Sequence, residues 1–250
     1  MNRLAVFLAV SMISLPGLAL AAAEGTAVGV RPDALARIGA SERILVVGAD
    51  VSVGETVVTG PSGTVQLLFD DQTRLVVGPR SALQIETYLL AGTGADKFAV
   101  NALAGTFRFI SGNSPKSAYS IDTPTASIAV RGTRFDLTVG GGQNFVMLFD
   151  GALRLCHGTS CVDLTDRCDI GVAAGGNADL FTWTDAGRSG AVSNFPLPNI
   201  QSSFLSQFRV AGAQACLASP SQSPAGSLVT GPEPGERQNQ NQPCTDPQLC

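Results

Sequence analysis

The strongest constraint on the fold of this chain is a succession of short alternating segments between Thr26 and Trp183. Apolar residues occupy every second position in these segments, and clusters of Gly, Pro, Asp and Ser separate them at intervals of about 8–12 residues. No long stretch in this region repeats with the period of a helix. The pattern predicts an all-β domain over residues 24–183, a sandwich or jelly roll of antiparallel strands.

One point inside this region requires a sharp change of chain direction. Val130 and Phe135 belong to two consecutive alternating segments and lie five positions apart. An odd offset turns the apolar set of a strand to the opposite face, so the chain must turn or bulge between these residues. Gly132 lies in this interval and can adopt backbone conformations that residues with a side chain avoid. We therefore predict that Gly132 forms a structural turn.

The residues around Gly132 allow two interpretations. In the first, the segment is a corner in which Arg131 and Arg134 point outward beside Asp136 or beside an acidic residue of a neighbouring strand. In the second, Arg131, Thr133, Arg134 and Asp136 form an edge that binds an anion or a protein partner. Exposed Arg–Asp pairs are common and contribute little to stability, which favours the corner.

The first residues of the chain predict export. Residues 1–23 contain one early Arg, an apolar run from Leu4 to Leu15, and small residues that include Ala21 and Ala23. This order is typical of a cleaved secretory signal peptide, and the apolar run is shorter than the about 20 residues of a transmembrane helix. The sequence therefore predicts a mature chain that is periplasmic or secreted, without stable insertion into a membrane.

The cysteines predict disulfides, because an even number of cysteines in an exported chain is typical of a disulfide framework. The six residues are Cys156, Cys161, Cys168, Cys216, Cys244 and Cys250. Only one pairing has a geometric argument. Cys156 and Cys161 flank a four-residue loop and would face each other across a hairpin. If the two cysteines nearest the C-terminus pair with each other, Cys168 and Cys216 remain as a pair by elimination.

The polar residues give no defined catalytic or metal-binding set. The single histidine, His157, lies between the cysteines of the predicted hairpin, and any Ser-His-Asp or Cys-His arrangement would have to use it. A metal site of His157 with three cysteines lacks the paired CxxC spacing of zinc sites. Asp70 and Asp71 have no Asp-x-Asp-x-Asp-Gly context for Ca²⁺ and are interpreted as a polar hairpin turn. We predict a non-enzymatic protein without a cofactor or metal ion.

The composition changes after the last alternating segment. Residues 184–217 begin as a linker and then place Ile200, Phe204 and Phe208 at helical spacing, which predicts one short amphipathic helix. Residues 218–250 are rich in Pro, Gln and Asn and too poor in apolar side chains to form a core, so we predict a disordered tail. The formal net charge is −4 and no basic block occurs, which argues against nucleic-acid binding.

Several motifs occur in a characteristic order: an acidic turn after a strand, a Gly-x-x-Ser step, a Leu-x-Gly strand opening, and a Thr-Pro segment that leads into Val, Gly, Thr and Phe. The residues that carry them are Phe69, Asp70, Asp71, Gln72, Thr73, Gly78, Ser81, Leu103, Gly105, Thr123, Pro124, Val130, Gly132, Thr133 and Phe135. With this ordered set, residues 39–155 resemble the FecR domain, a periplasmic module named after the ferric-citrate regulator.

The resemblance implies an all-β, sandwich-like domain without a catalytic centre. In well-known members, the domain lies outside the inner membrane, receives a signal from an outer-membrane transporter and passes it to a cytoplasmic sigma factor. The present sequence shows neither the cytoplasmic segment and transmembrane helix of those members nor the α/β module that usually follows. We therefore expect a stand-alone exported form, to which the signalling mechanism does not transfer.

Three functional hypotheses follow. The first is a non-enzymatic binding module that engages an envelope protein or a cell-wall polymer through strand edges and loops. The second is a regulatory subunit that binds another protein in signal transduction. The third is a hydrolase or lyase that uses His157 or the acidic pairs.

Overall fold

The computed structural model describes residues 24–91 and 94–218. The predicted signal peptide, Cys244, Cys250 and nearly all of the predicted tail lie outside the described residues. The strands, numbered in chain order, are β1 (Gly25–Arg31), β2 (Ala34–Ile38), β3 (Ser41–Ile44), β4 (Asp50–Val51), β5 (Thr56–Thr59), β6 (Thr64–Phe69), β7 (Arg74–Val77), β8 (Ala82–Ala91), β9 (Gly94–Ile110), β10 (Tyr119–Asp122), β11 (Ser127–Val130), β12 (Arg134–Gly140), β13 (Gln143–Asp150), β14 (Leu153–His157), β15 (Ser160–Leu164), β16 (Ile170–Ala174) and β17 (Asn177–Phe181). The helices are α1 (Arg188–Val192) and α2 (Leu197–Ile200), and 3₁₀ turns occur at Lys116–Ala118, Gln201–Ser203, Ser206–Phe208 and Ala213–Leu217. None of the described helices is long and apolar enough to cross a membrane.

The strands pair into two sheets that enclose a common core. Sheet A has the spatial order β4, β1, β6, β7, β9, β12, β13, β16, β17. Sheet B has the order β3, β2, β5, β8, β9, β10, β11, β14, β15. The long strand β9 belongs to both sheets and joins them. The predicted all-β, sandwich-like fold is confirmed.

The strand β9 changes sheet at Gly105. Before this point, Ala104 faces Ala82 of β8 in sheet B, whereas residues 107–110 face β7 in sheet A. Gly105 has a φ of +103°, and a Cβ atom there would lie 2.5 Å from the Cα atom of Ser81. The bend thus requires glycine. Because the chain bends here without breaking its strand pairing, the two segments that the alternation pattern separates form one continuous strand.

One strand pair departs from the antiparallel arrangement that the sequence predicts. Tyr119 of β10 pairs with Phe98 of β9, and the two strands run parallel. The reason is the sheet change in β9: this strand ends in sheet A, so the chain must return across the end of the sandwich before β10 can enter sheet B. The return reverses the usual hairpin direction. Every other described pair of strands is antiparallel.

Aromatic side chains fill the centre of the sandwich. The ring centroids of Phe69 and Phe98 lie 4.8 Å apart in an edge-to-face contact, and those of Phe109 and Phe135 lie 5.4 Å apart in a stacked contact. Phe98 also contacts Phe109, so side chains from both sheets form one continuous cluster. The burial of these rings provides a large part of the apolar area that stabilises the fold.

Residues 184–218, here called the strap, cross the outer face of sheet A. The strap contains α1, α2 and 3₁₀ turns in place of the single predicted helix. Helical backbone stops at Phe204 and Leu205, whose ψ angles are 157° and 147°. Phe204 and Phe208 are both buried against the sheet, while Leu205 remains 44 % exposed. Extended residues between turns let both rings reach the flat sheet, which a straight helix could contact only along one stripe.

Two predicted disulfides are present. Cys156 of β14 lies directly opposite Cys161 of β15, with a Cα–Cα distance of 4.1 Å, so the geometric argument for a hairpin bridge is confirmed. Cys168, just before β16, is bonded to Cys216, 48 positions later in the strap. This second bridge joins the end of the strap to sheet A.

Candidate functional site

The chain crosses from sheet B to sheet A at Gly132. β11 lies in sheet B and β12 lies in sheet A, and Gly132 between them has a φ of +71°. Val130 and Phe135 both point into the core, although they lie five positions apart, because they belong to opposite sheets. Gly132 therefore lies where the chain passes between the sheets, in a backbone conformation that favours glycine.

The structure separates the four residues of the predicted binding edge. Arg131 and Arg134 are exposed, and the Nε atom of Arg134 lies 3.9 Å from a carboxylate oxygen of Asp150. Thr133 and Asp136 are buried, and the Oγ1 atom of Thr133 has no hydrogen-bond partner among the described residues. Of the two acidic neighbours expected for the arginines, an acidic residue of a neighbouring strand is found, because Asp150 of β13 lies beside Arg134. The other, Asp136, faces the strap on the covered side of sheet A. Only the two arginines remain accessible to a partner.

Asp136 forms a buried ion pair with Arg108. The two residues lie directly opposite each other on β12 and β9, and Arg108 donates from Nε and Nη2 to the two carboxylate oxygens at 2.7 and 2.8 Å. Both side chains are almost completely buried. Arg108 also donates from Nη1 to Oε1 of Gln201 in the strap at 2.8 Å, and its guanidinium lies 5.4 Å from the ring centroid of Phe149.

Burial raises the pKa of the Asp136 carboxyl, and the positive charge of Arg108 opposes this rise. A bidentate pair of this kind satisfies both oxygens and fixes the two strands in register. The strap lies over the pair, whose side chains are almost completely shielded from solvent. We therefore assign it a structural role, as a tie between the strap and the sheet, rather than a catalytic one.

A second buried polar cluster surrounds Asp71, at the turn between β6 and β7. Its Oδ2 atom accepts hydrogen bonds from Ser114 Oγ, Thr73 Oγ1 and Tyr119 Oη at 2.5, 2.8 and 3.0 Å. Its backbone N–H donates to Tyr88 Oη at 2.9 Å. The sequence correctly places Asp71 in a turn between strands. It gave no sign that Asp71 is fully buried and hydrogen-bonds to Tyr88, Ser114 and Tyr119 of distant segments.

This cluster predicts a characteristic response to alkaline pH. Burial raises the pKa of both Tyr88 and Tyr119 above the ordinary value of 10.0, and these are the two tyrosines of the chain. The folded state therefore disfavours tyrosinate, so its stability is fully present below pH 10 and declines as the pH rises further. We expect tyrosinate absorbance and loss of the circular-dichroism signal to appear together in a pH titration. Tyrosinate formation in a chain that is still folded would contradict this prediction.

The remaining candidates for chemistry do not converge. His157 lies opposite Ser160 at the end of the β14–β15 hairpin, next to the disulfide. Asp163 is exposed and pairs with Arg154 at 2.7 Å, and this hydrogen-bonded pair holds the pKa of Asp163 below its ordinary value. Within residues 24–91 and 94–218, no group of three or more His, Cys, Asp or Glu side chains is placed to hold a metal ion.

Sequence reasoning missed a row of apolar side chains on the outer face of sheet B. Register places its members opposite one another on five adjacent strands. This apolar row consists of Ile44, Leu35, Val58, Ala82 and Ala104. A polar row runs beside it and consists of Glu42, Arg37, Thr56, Gln84 and Asn101. The available signal was that outward positions of β2 and β5 are apolar although their inward neighbours already supply the core.

The apolar row continues into an exposed loop at the edge of sheet B. Ile44, Val46 and Val47 are 80, 59 and 65 % exposed. A groove of about 410 Å³ lies beside Ile44, lined by Leu35 and Val58 among others. The described residues that surround the row leave it uncovered, in contrast to the outer face of sheet A. Contiguous aliphatic surface of this kind is typical of a docking site.

Part of this chain is similar to known proteins. Residues 55–154 match the family model of the FecR protein. Two crystal structures of a candidate anti-sigma factor from Parabacteroides distasonis ATCC 8503, at 1.65 and 2.50 Å resolution, are similar with 14 % identity and a TM-score of 0.41. Each match covers 50 % of this chain and 57 % of the other. No curated protein sequence matches the chain. The family match and the ordered motifs thus agree on a FecR-like domain that includes residues 55–154.

Proposed function

We propose that this chain is an exported, non-enzymatic FecR-type binding module whose apolar row and adjoining loop engage a protein of the cell envelope. The observation that carries the proposal is the exposure of Ile44, Val46 and Val47 at the end of the row. Aliphatic side chains left in water at 59–80 % of their surface gain free energy when a partner covers them.

The chemistry of the surface favours a protein over a cell-wall polymer. Glycan and peptide polymers of the wall present hydroxyl, amide and charged groups, which polar or aromatic side chains recognise. The apolar row offers only aliphatic groups, and the neighbouring polar row is internally paired where Arg37 contacts Glu42 at 2.6 Å. An apolar segment of a protein matches the row better, because it would bury its own side chains without leaving polar groups unpaired.

The size of the surface indicates what kind of segment fits. Five strands at about 4.8 Å spacing give the row a length of about 19 Å. A row of this length and one side chain wide has less surface area than the about 800 Å² that each partner buries in a stable dimer interface. We infer that the occupant is one amphipathic segment of a partner protein rather than the same face of a second copy.

Two further observations bear on the location of the protein and on its second candidate function. The disulfides Cys156–Cys161 and Cys168–Cys216 are typical of an oxidising compartment, in agreement with the predicted signal peptide. The second candidate function, a regulatory subunit in signal transduction, is favoured by the FecR family match. The identity of the partner distinguishes the two, since a receptor or kinase ectodomain would favour regulation.

The proposal is tested by placing a photo-crosslinking residue at position 58 of the apolar row or at position 56 of the polar row. Both positions lie on β5 and face away from the core, so they form a matched pair. We expect position 58 to yield a defined adduct with an envelope protein and position 56 to yield little. Ile44→Lys should then weaken binding of that protein by at least about tenfold.

Two results would contradict the proposal. One is equal crosslinking at both positions, because the row would then have no preference for a partner. The other is retention of the full-length protein on insoluble peptidoglycan that Ile44→Lys leaves unchanged, because a polymer would then be bound by another surface.

A further inference from the structure

The strap covers sheet A without joining it as a strand. Its backbone hydrogen bonds are local turns, such as Phe208 N–H to Leu205 O at 2.9 Å. Its ends are fixed by other means. Cys216 is bonded to Cys168, and Arg188 donates to the carbonyl oxygens of both cysteines. The described strap is thus a peptide layer that lies on the sheet and is tied near its two ends.

The apolar contacts of the strap are separate from the central core. The core between the sheets contains no strap residue. Phe204 and Phe208 instead form a cluster with Val76 on the outer face, and Phe195 and Val210 belong to another outer cluster. Because the central core includes none of these contacts, release of the strap would leave the packing between the two sheets unchanged.

The sheet face beneath the strap is polar at its centre. Register places Gln66, Val76, Arg108 and Asp136 in one row across four adjacent strands. A permanent core at this place would be at least as stable with apolar residues, because a buried ion pair carries a large desolvation cost. The polar groups have a different use here: they hydrogen-bond to the strap.

These hydrogen bonds join side chains of the sheet to backbone groups of the strap and to one of its side-chain amides. Gln66 Oε1 accepts from the backbone N–H of Leu205 at 2.8 Å. Arg108 Nη1 donates to Gln201 Oε1 at 2.8 Å, and the same oxygen accepts from Val210 N–H at 3.0 Å. Thr138 Oγ1 donates to the carbonyl of residue 194 at 2.6 Å. Side chains that bind main-chain groups of an irregular segment, with aromatic anchors beside them, are typical of peptide recognition.

We propose that the outer face of sheet A is a peptide-binding surface, which the strap occupies within the same chain. The ligand of this surface is a segment of a partner protein without regular secondary structure. It carries two aromatic side chains four positions apart, as Phe204 and Phe208 are, and an amide side chain before them that takes the place of Gln201. Release of the strap would expose this face to a partner protein that carries such a segment. The inference is independent of the apolar row on sheet B.

The test uses the full chain and a labelled synthetic peptide of residues 199–211. The variant Phe204→Ala/Phe208→Ala removes both anchors from the strap and keeps the Cys168–Cys216 tie. We expect this variant to bind the peptide and the unaltered chain to bind it at least about tenfold more weakly, because its own strap has a high effective concentration. A peptide with both phenylalanines replaced by alanine should not bind.

A matched control uses Leu205, which lies between the anchors and is 44 % exposed. Leu205→Ala in the peptide should leave binding to the double variant nearly unchanged. The proposal is overturned if a folded double variant fails to bind the peptide, or if the alanine peptide binds equally well.

Hydrogen exchange on the unaltered chain gives a second test that does not depend on the folding of a variant. We expect the amides of Leu205, Phe208 and Val210 to exchange through an opening that leaves Leu137 in β12 protected, and reduction of the disulfides to accelerate that opening. If the strap amides exchange only at the rate of global unfolding, the strap is an inseparable part of the fold and the proposal fails.

Discussion

Replacing Asp136 with alanine is expected to lower the free energy of unfolding by about 3–5 kcal/mol, because Arg108 would keep a buried charge without its carboxylate partner. The present pair is bidentate and almost completely buried. Urea denaturation followed by circular dichroism measures the loss. A change below about 1 kcal/mol would show that water reaches Arg108, and that the strap does not seal the pair.

The control is the double variant Arg108→Met/Asp136→Leu. It removes both charges and keeps the volume of the site apolar, so we expect it to recover most of the stability that Asp136→Ala loses. Gln201 would retain its hydrogen bond from Val210 N–H at 3.0 Å, whereas the carbonyl of Phe208 would lose its long 3.4 Å hydrogen bond from Arg108. If the double variant is as unstable as Asp136→Ala, the loss comes from packing rather than from an unpaired charge.

Removing the Cys168–Cys216 disulfide is expected to cost about 4 kcal/mol, whereas removing Cys156–Cys161 costs about 2 kcal/mol, from the loop-entropy relation. The physical reason is the length of chain that each bridge closes in the unfolded state: the sequence separations are 48 and 5. The double serine variants are matched, since each removes one bridge and adds two hydroxyl groups. Urea denaturation of both variants under the same conditions measures the difference.

The order of the two losses is the decisive outcome. Cys156 and Cys161 already face each other across the β14–β15 ladder, so the hairpin keeps them close without the bond. The end of the strap has no ladder, and depends on Cys216 and on Arg188. An equal or reversed order would contradict the assignment of the longer bridge as the main tie of the strap.

At the corner around Gly132, the local pattern of apolar residues predicted some structural features and missed others. The odd offset between Val130 and Phe135 predicted a turn, and Gly132 between them has a φ of +71°. The pattern could not tell a bulge within one sheet from a crossing between two sheets, because both give the same offset. It also placed Asp136 at the surface, since a charged residue in an alternating segment is normally exposed.

The buried polar groups were beyond the reach of sequence reasoning for one reason. Asp71 meets Tyr119, and Arg108 meets Asp136, over separations of 48 and 28 residues. No local period records such pairings, and each depends on which strands become neighbours. The candidate docking surfaces have the same origin: the register of five strands assembles the apolar row, and the path of the strap decides which sheet face is covered.

The sequence by itself determined the β-rich class, the change of face around Gly132, the hairpin bridge Cys156–Cys161 and the resemblance to the FecR domain, because alternation, glycine conformation and ordered motifs act over a few residues. The tertiary structure alone decided that β9 serves two sheets, that β10 runs parallel to it, and that the strap lies in turns on sheet A. These features arise from competition among distant segments for the same apolar surface, which is settled only when the whole chain packs.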